Sequence, residues 1–404
     1  MAKTYQPKRF ANPGLLKRLD FALLLRLLEP YRPVFEERHQ FSWKESHMGF
    51  PFDRLAKILL NPAAPSELLE TLYYVETLAD EKYFDDLLTA ARKLGCDTEK
   101  RTVEDLAMLL RLECPVVLER LHAEIYRNHN KHRVKRFESY FAAGEIRPML
   151  DLTQDRLEHI EAELNHWAEE NRRGIGMRVF TSRDAQAVWF MIRHGQPMKR
   201  ENTVESDGSH GLTFYRPEKY DFMIYYPKEG ELAMNVRTQK ARTAYTQIFG
   251  RRLFDDAGYF SIGNTVKYTL NPLLKYGAAS LMCWGTPGID KIRLCEIQAT
   301  RPGIKNHLEI HRADDLLTVD NENLPLSHRD SVPVKAKFQV AYADGRERIV
   351  TIEPPNIALY DRESDHEIIH AWLLERGFIL NEPITIPFRG GLKHGMPQFI
   401  LAIA

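Results

Sequence analysis

The hydrophobic period of the sequence changes at two glycines, and this change limits what the chain can fold into. From Pro13 to about Asn171, apolar residues recur at the i, i+3, i+4 spacing of amphipathic helices, as Leu19 and Leu23 do. After Gly174 and Gly176, short runs with the alternation of strands take over. The pattern predicts an α+β, multi-domain protein with a helical N-terminal region, a central mixed α/β core and a C-terminal module of a β-hairpin and a helix.

Three domains are predicted: an all-helical region over 1–174, an α/β core over 175–303 and an α+β module over 304–404. In the helical region, Thr102 followed by Asp105 is typical of an N-terminal helix cap. Later helices of this region are predicted over residues 115–128, 131–143 and 152–170.

The central core alternates predicted helices and strands. Its helices are predicted over 183–193 and 239–249. Its strands are predicted near 212–215, 220–226, 231–237, 278–284 and 291–300. The sequential order is therefore helix, three strands, helix and further strands.

The C-terminal module contains a strong hairpin signal. Alternating residues over 334–342 and 348–352 flank Asp344-Gly345, and Asp-Gly suits the tight turn of a two-stranded hairpin. Ser364 and Glu367 suggest a capping box for the helix that follows. That helix could belong to a winged-helix unit.

Composition limits the location expected for the protein, but it does not indicate what the protein binds. Lys+Arg and Asp+Glu number 56 each in 404 residues, so only local patches can indicate a polyanionic ligand. The four cysteines form no C-x-x-C pair, and the N-terminus lacks the apolar segment of a signal peptide. The longest apolar run is interrupted by Arg26 and is too short to span a bilayer. We expect a cytoplasmic protein that does not enter membranes.

Signatures of several common enzyme classes are missing from the sequence. No phosphate-binding loop, dinucleotide fingerprint, nucleophile elbow or H-E-x-x-H motif occurs. Arg193-His194-Gly195 matches the R-H-G of histidine phosphatases, but their phosphoacceptor histidine follows an N-terminal strand. His194 ends a predicted helix well inside the chain, so this match is set aside.

Two neighbouring strands of the core carry polar residues in a suggestive layout. Asp221 opens one predicted strand, and Asn235-Val236-Arg237 closes the next, before a helix. This layout resembles the restriction-endonuclease-like core of PD-(D/E)XK nucleases, over roughly 120 residues. The resemblance implies a metal-binding Asp at 221, but Asn235 and Arg237 stand where the second carboxylate and the lysine would be. A catalytically degenerate, nuclease-like core is therefore expected.

Two alternatives to a degenerate core remain open. An active Mg²⁺-dependent nuclease would need a displaced catalytic set of Asp221, Glu231 and Lys240, because such cleavage requires several oxygen ligands and a nearby cation. Alternatively, the fold is an unrelated α/β core in which Asp221 only caps a strand. No metal site and no cofactor is otherwise predicted, and Mg²⁺ enters only with the active nuclease.

Two basic segments are candidate nucleic-acid contacts. The first carries Arg127, Lys131, Arg133, Lys135 and Arg136. The second carries Arg237, Lys240, Arg242, Arg251 and Arg252. Neither segment contains an acidic residue, so each can create a positive field that attracts phosphates. Alternatively, each is a solvated helix face whose cations pair with acids from elsewhere.

Together these features favour a recognition protein. We expect a nucleic-acid or partner-protein recognition subunit, an accessory or sensor component of a prokaryotic DNA-processing or anti-phage defence assembly. The alternatives are the active nuclease described above and a non-catalytic protein-protein scaffold. The sequence leaves the oligomeric state and the choice between DNA, RNA and protein ligands open.

Overall fold

The computed structural model describes most of the chain. Its described residues are 8–60, 64–130, 132–204, 208–261, 265–301, 304–305, 307–318 and 331–385. The α-helices are α1 Pro13–Leu16, α2 Phe21–Leu28, α3 Arg32–His39, α4 Phe52–Leu59, α5 Ser66–Leu78, α6 Phe84–Lys93, α7 Val103–Glu113, α8 Pro115–Asn130, α9 Gln154–Glu170, α10 Gln239–Phe254, α11 Asn271–Tyr276 and α12 His366–Glu375. The strands are β1 Arg136–Phe141, β2 Arg178–Arg183, β3 Val188–Gly195, β4 Lys199–Val204, β5 His210–Tyr215, β6 Glu218–Tyr226, β7 Glu231–Asn235, β8 Thr265–Tyr268, β9 Ile289–Thr300, β10 Glu309–Arg312, β11 Val332–Tyr342, β12 Glu347–Glu353, β13 Ile357–Leu359 and β14 Ile379–Thr385. The predicted α+β class, with a helical N-terminal region and a strand-rich remainder, is confirmed.

The chain divides into two compact units. One comprises Met1–Asn128 with Thr203–Gly211, and the other comprises His129–Asn202 with Leu212–Ala404. Among the described residues, no helix is both long and apolar enough to cross a membrane.

Helices α1 to α8 build the first unit around a leucine-rich core. The predicted cap at the start of α7 is confirmed as a full capping box. The Thr102 side chain accepts a hydrogen bond from the Asp105 backbone N–H, and the Asp105 carboxylate accepts one from the Thr102 backbone N–H. Both groups satisfy N–H donors that a helix start would leave unpaired.

A ten-stranded sheet organises the second unit, in the order β10-β9-β11-β12-β13-β1-β7-β6-β3-β2. Every described pair of neighbouring strands in it is antiparallel. The predicted hairpin is confirmed as β11 and β12, but both are interior strands rather than a free wing. The predicted domain boundaries at 174 and 303 do not separate sheets, because strands from before and after each boundary belong to this one sheet.

The two helix-covered cores of this unit lie on opposite faces of the sheet. Tyr140 of β1 belongs to the core formed with α9 and α10. Phe137, three positions earlier on the same strand, points to the other face and pairs with Ala358 of β13, which belongs to the core formed with α11 and α12. The helices therefore change sides at the β1–β13 pair.

The order of elements along the chain is nearly repeated in the second unit. A strand, a helix, four strands and a helix occur as β1-α9-β2-β3-β6-β7-α10 and again as β8-α11-β9-β11-β12-β13-α12. In both copies the four strands are neighbours in chain order within the sheet, with β4–β5 and β10 as insertions. The copies differ at their first strand, because β8 pairs with β14 outside the large sheet while β1 joins the two halves.

Three predicted elements are wrong. The helix predicted over 131–143 is replaced by β1, and the helix over 183–193 by β3. The first five residues of β3 are all buried, so the strand lacks the alternation that would distinguish it from a buried helix. The strand predicted over 278–284 is largely a 3-10 helix, Gly277–Leu281, in which the Ser280 hydroxyl donates to the Gly277 carbonyl.

The predicted capping box of α12 is also wrong. Asp365 occupies the N-cap position, and no side chain there accepts the expected hydrogen bond. Asp365 is buried and instead accepts a hydrogen bond from Arg348. The Asp365 carboxylate thus forms an ion pair with Arg348 instead of capping α12.

Candidate functional site: a basic cleft at the start of α10

A cleft of about 690 Å³ opens where β1, β3, β6 and β7 meet the start of α10. Eight of its lining residues are charged or are histidine: Arg136, Glu138, Arg173, His194, Lys219, Asp221, Arg237 and Arg242. We call this site the basic cleft. Its volume lies within the usual range of about 300–1,000 Å³ for small-ligand pockets.

The chain reversal between β7 and α10 shapes the cleft. β7 ends at Asn235, whose side-chain amide donates to the Arg136 carbonyl at 2.7 Å and so ties β7 to β1. Thr238 is the N-cap of α10, and its hydroxyl accepts from the Ala241 backbone N–H at 3.3 Å. The positive end of a sixteen-residue helix therefore lies at the cleft.

Asp221 lies in the wall of the cleft, and its carboxylate already has partners within the protein. The Tyr245 hydroxyl donates to Asp221 Oδ2 at 3.0 Å, and His194 Nε2 lies 3.1 Å from the same oxygen, close enough for an ion pair although poorly aligned for a hydrogen bond. His194 Nδ1 lies 3.0 Å from the Gly195 carbonyl oxygen and 3.5 Å from an Arg173 nitrogen. Burial, and then the Asp221 charge, raise the pKa of Tyr245 well above its ordinary value, so Tyr245 stays a neutral donor.

The carboxylate of Glu138, the other acidic residue of the cleft, also has partners within the protein. Tyr140 donates to Glu138 Oε1 at 2.7 Å, and Arg242 Nε lies 3.2 Å from Glu138 Oε2. Arg242 is held in turn by the Val236 carbonyl at 2.9 Å and the Gln239 side chain at 2.7 Å. Burial, and then the Glu138 charge, raise the pKa of Tyr140 above its ordinary value.

The cleft carries a surplus of positive charge. Five Lys and Arg side chains line it against two carboxylates. Lys219 and Arg237 are exposed, and neither forms an ion pair within the described part of the chain. Together with the positive end of α10, these two cations make the cleft suited to an anion.

The proposed catalytic set of Asp221, Glu231 and Lys240 is not brought together. Asp221 shares a sheet face with Tyr225 of the α9–α10 core, whereas Glu231 pairs with Tyr226 and so faces the other way. Because Tyr226 is five residues along β6 from Asp221, the carboxylates lie roughly 15 Å apart along the sheet as well. Glu231 is buried and bonded to Lys267 and Ser139.

Among the described residues, Lys240 forms no ion pair with Asp221 or Glu231. It is exposed in the first turn of α10 and does not line the basic cleft. Its charge can still contribute to the field at the helix start.

The second basic segment is split by the structure. Arg237 and Arg242 line the basic cleft. Arg251 and Arg252, at the far end of α10, both bind the Glu163 carboxylate of α9, so for these two the alternative of internal pairing holds.

Residues of the first basic segment fall into both units. Arg127 lies on α8 in the first unit, while Arg133, Lys135 and Arg136 are exposed in the second. Lys131 lies outside the described residues. Arg136 lines the basic cleft and lies 3.5 Å from Glu353.

Sequence reasoning missed Arg173, His194 and Lys219 as members of the site. A signal existed for Lys219, because it precedes Asp221 by two positions and so shares its face of β6. His194 belonged to a motif assigned to a helix, which hid its position on β3. Arg173 follows α9 and gave no local signal.

Neither metal-ligand geometry nor similarity to known proteins adds an assignment. Within the described ranges, no group of three or more His, Cys, Asp or Glu side chains converges as a metal site would require. No protein-family model matches the sequence, and no curated protein shows significant similarity to it. The side chains of the basic cleft therefore give the best indication of function.

Proposed function

We propose that this chain recognises nucleic acid by binding backbone phosphates in the basic cleft. One observation carries the proposal: five cationic side chains converge on a cleft whose two carboxylates already have internal partners. A phosphate entering the cleft would meet Lys219 and Arg237 without displacing an existing ion pair.

The chemistry of the cleft suits phosphate. Arg237 can donate two parallel hydrogen bonds to phosphate oxygens, and Lys219 supplies a compact charge. The start of α10 adds backbone N–H groups and the positive end of the helix dipole. The volume of about 690 Å³ accommodates a phosphate with an attached sugar and base.

The same geometry favours binding over cleavage. Metal-assisted phosphodiester cleavage needs carboxylates that share one or two cations. Here Asp221 is engaged by Tyr245 and His194, and Glu138 by Arg242 and Tyr140. We therefore keep a nuclease-like ancestry of the core, and a role as accessory or sensor subunit beside a partner protein, as parts of this proposal.

Binding of labelled oligonucleotides tests the proposal. Fluorescence anisotropy would compare single-stranded DNA, duplex DNA and RNA from about 50 to about 300 mM KCl, because each phosphate contact adds nearly one unit to the log-log salt slope. The test variant is Lys219→Ala with Arg237→Ala, which removes the two exposed cations of the cleft that form no ion pair within the described residues. We expect weaker binding and a slope lower by about two.

A matched control removes two other exposed cations of the same unit, at the end of β2 and just after β6. Arg183 and Lys228 lie at the opposite end of β2 and β6 from the cleft, so Arg183→Ala with Lys228→Ala should leave the slope nearly unchanged. A third variant, Arg133→Ala with Lys135→Ala, tests the first basic segment. If this third variant alone lowers the slope, the cleft is not the binding surface. If the unmodified protein binds no oligonucleotide at low salt, the protein-scaffold alternative takes its place.

A further inference from the structure

A buried guanidinium that forms no ion pair with any described residue lies in the second unit, outside the basic cleft. Arg362 is 3% exposed. Its Nη2 donates to the Tyr268 hydroxyl at 3.3 Å, its Nη1 lies 3.3 Å from His366 Nδ1, and its Nε has no hydrogen-bond partner among the described residues. The cation also lies 4.2 Å from the centre of the Tyr360 ring. Burial, and then the Arg362 charge, lower the pKa of His366 well below its ordinary value, so every one of these contacts is with a neutral group.

The buried carboxylate of Glu231 acts on Arg362 through its charge but forms no ion pair with it among the described residues. Glu231 is bonded to Lys267, and both side chains are fully inside the protein. This buried group thus contains two cations, Lys267 and Arg362, and one anion, Glu231. His370, close to the same charges, adds none at neutral pH, because burial lowers its pKa to about 4.

Two buried aspartates close to Arg362 in sequence, Asp361 and Asp365, are paired with other residues. Arg348 donates to both Asp361 and Asp365 at 2.9 Å. His132 lies 2.8 Å from Asp361, and Arg346 lies 3.7 Å from Asp365. Among the described residues, Arg362 therefore has no ion pair of its own.

Arg362 lines a cavity of about 300 Å³ between the β2–β3 turn and the start of α12. We call it the aromatic cavity, because Trp189, Tyr226 and His366 form its walls. The Tyr226 ring stacks on His366 with centroids 4.2 Å apart, and its hydroxyl, also buried, has no hydrogen-bond partner within the described chain. Burial raises the pKa of Tyr226, so the hydroxyl remains a neutral donor.

We propose that the aromatic cavity binds a small planar monoanion, of the class of aromatic monocarboxylates. The negative group would pair with Arg362, and the ring would pack against Trp189 and Tyr226. This inference does not depend on the nucleic-acid proposal for the basic cleft.

The charge expected of the ligand follows from the Arg362 guanidinium inside the cavity and the carboxylates at its rim. Taking an ion out of water is costly unless a partner compensates it, and a carboxylate can accept two parallel hydrogen bonds from a guanidinium. The rim, however, carries the exposed carboxylates Asp184, Glu363 and Glu367. These repel multiply charged anions more strongly than a monoanion, so phosphates and dicarboxylates are disfavoured.

Four simple probes separate charge from shape. Benzoate carries the ring and one charge, benzamide keeps the shape without the charge, acetate keeps the charge without the ring, and phthalate adds a second charge. Ligand-observed NMR and calorimetry on the full chain should detect benzoate at concentrations up to about 10 mM, with each of the other three at least about tenfold weaker. Equal binding of benzoate and benzamide, or no benzoate binding, would overturn the proposal.

Protein variants test the site itself. Arg362→Gln should weaken benzoate by at least about tenfold, because it removes the charge that pairs with the carboxylate. Since Arg362 is buried and this variant can fail to fold, a rim variant provides an independent test. Asp184→Asn with Glu367→Gln changes only exposed groups and should tighten benzoate about threefold by removing two repulsive charges.

The matched control for the rim variant is Glu158→Gln with Glu169→Gln, two exposed carboxylates of α9 that do not line the cavity. It should leave benzoate affinity unchanged. If the rim variant and this control behave alike, the ligand does not enter the aromatic cavity and the proposal fails.

Discussion

Removing Lys267 should lower the free energy of unfolding of the second unit, because Lys267 is the cation that forms an ion pair with Glu231 among the described residues. The two side chains are 2% and 1% exposed and lie 2.5 Å apart. We consider Lys267→Met, which keeps the length and apolar stem of the side chain and leaves the Glu231 carboxylate buried without its ion pair.

The expected magnitude follows from the pKa of Glu231. Burial alone would raise this pKa, but Lys267, then Arg362, and a hydrogen bond from Ser139 lower it to about 2, against an ordinary 4.5. A difference of this size corresponds to about 3 kcal/mol of folding free energy at neutral pH. Breaking a buried ion pair costs about 3–5 kcal/mol in other proteins, so we expect a loss in that range.

The sign of the pH dependence is fixed by the direction of the shift. Because the pKa is lower in the folded state, the stabilisation is fully present above about pH 4.5 and is lost as pH falls toward 2. Glu231→Gln should remove this part of the acid dependence. The double variant with Lys267→Met should cost less than the sum of the single changes, by about 2 kcal/mol or more.

Urea unfolding followed by tryptophan fluorescence suits this measurement. Four of the five tryptophans lie in the second unit: Trp167, Trp189, Trp284 and Trp372. The matched control is Arg147→Met, which breaks an ion pair of 2.8 Å to Asp256 whose side chains are about half exposed. That change should cost less than about 1 kcal/mol. If Lys267→Met costs no more than Arg147→Met, the reasoning about the buried pair is refuted.

Two further predictions concern catalysis and helix capping. With Mg²⁺ or Mn²⁺, the purified protein should leave DNA and RNA intact in a gel assay, because Asp221 and Glu231 face opposite sides of the sheet; cleavage that disappears in Asp221→Ala would contradict this. Thr102→Ala should lower the free energy of unfolding of the first unit by about 1 kcal/mol, since it removes a hydrogen-bonded N-cap, whereas an unchanged circular-dichroism melt would show that the cap contributes nothing.

Local signals in the sequence predicted local structure well. The capping box at Thr102 and Asp105 and the Asp344-Gly345 hairpin depend on residues within a few positions of one another. For the same reason the strand β6 and the helix α10 were placed correctly around Asp221. In these segments the hydrophobic pattern and the turn residues agree.

The composition of the candidate site could not be predicted in the same way, because it depends on strand register and on contacts between residues distant in the chain. Whether Asp221 and Glu231 share a face is decided by the register of β6 on β7, and a shift of one residue would reverse the answer. The basic cleft also combines residues from β1, β3 and α10 that are far apart in the chain. β1 itself was misassigned because pairing on both of its edges, rather than its own composition, makes it a strand.

The position of β1 has a consequence for synthesis of the protein on the ribosome. Ser139 of β1 and Asn356, which precedes β13, bond to each other's backbone at 2.9 and 3.1 Å, although 217 positions separate them. Until β13 has been made, β1 presents an unpaired edge to solvent, and unpaired edges invite pairing with other chains. A nascent or truncated chain that stops before Ile357 therefore carries an aggregation-prone strand that only the last part of the sheet can cover.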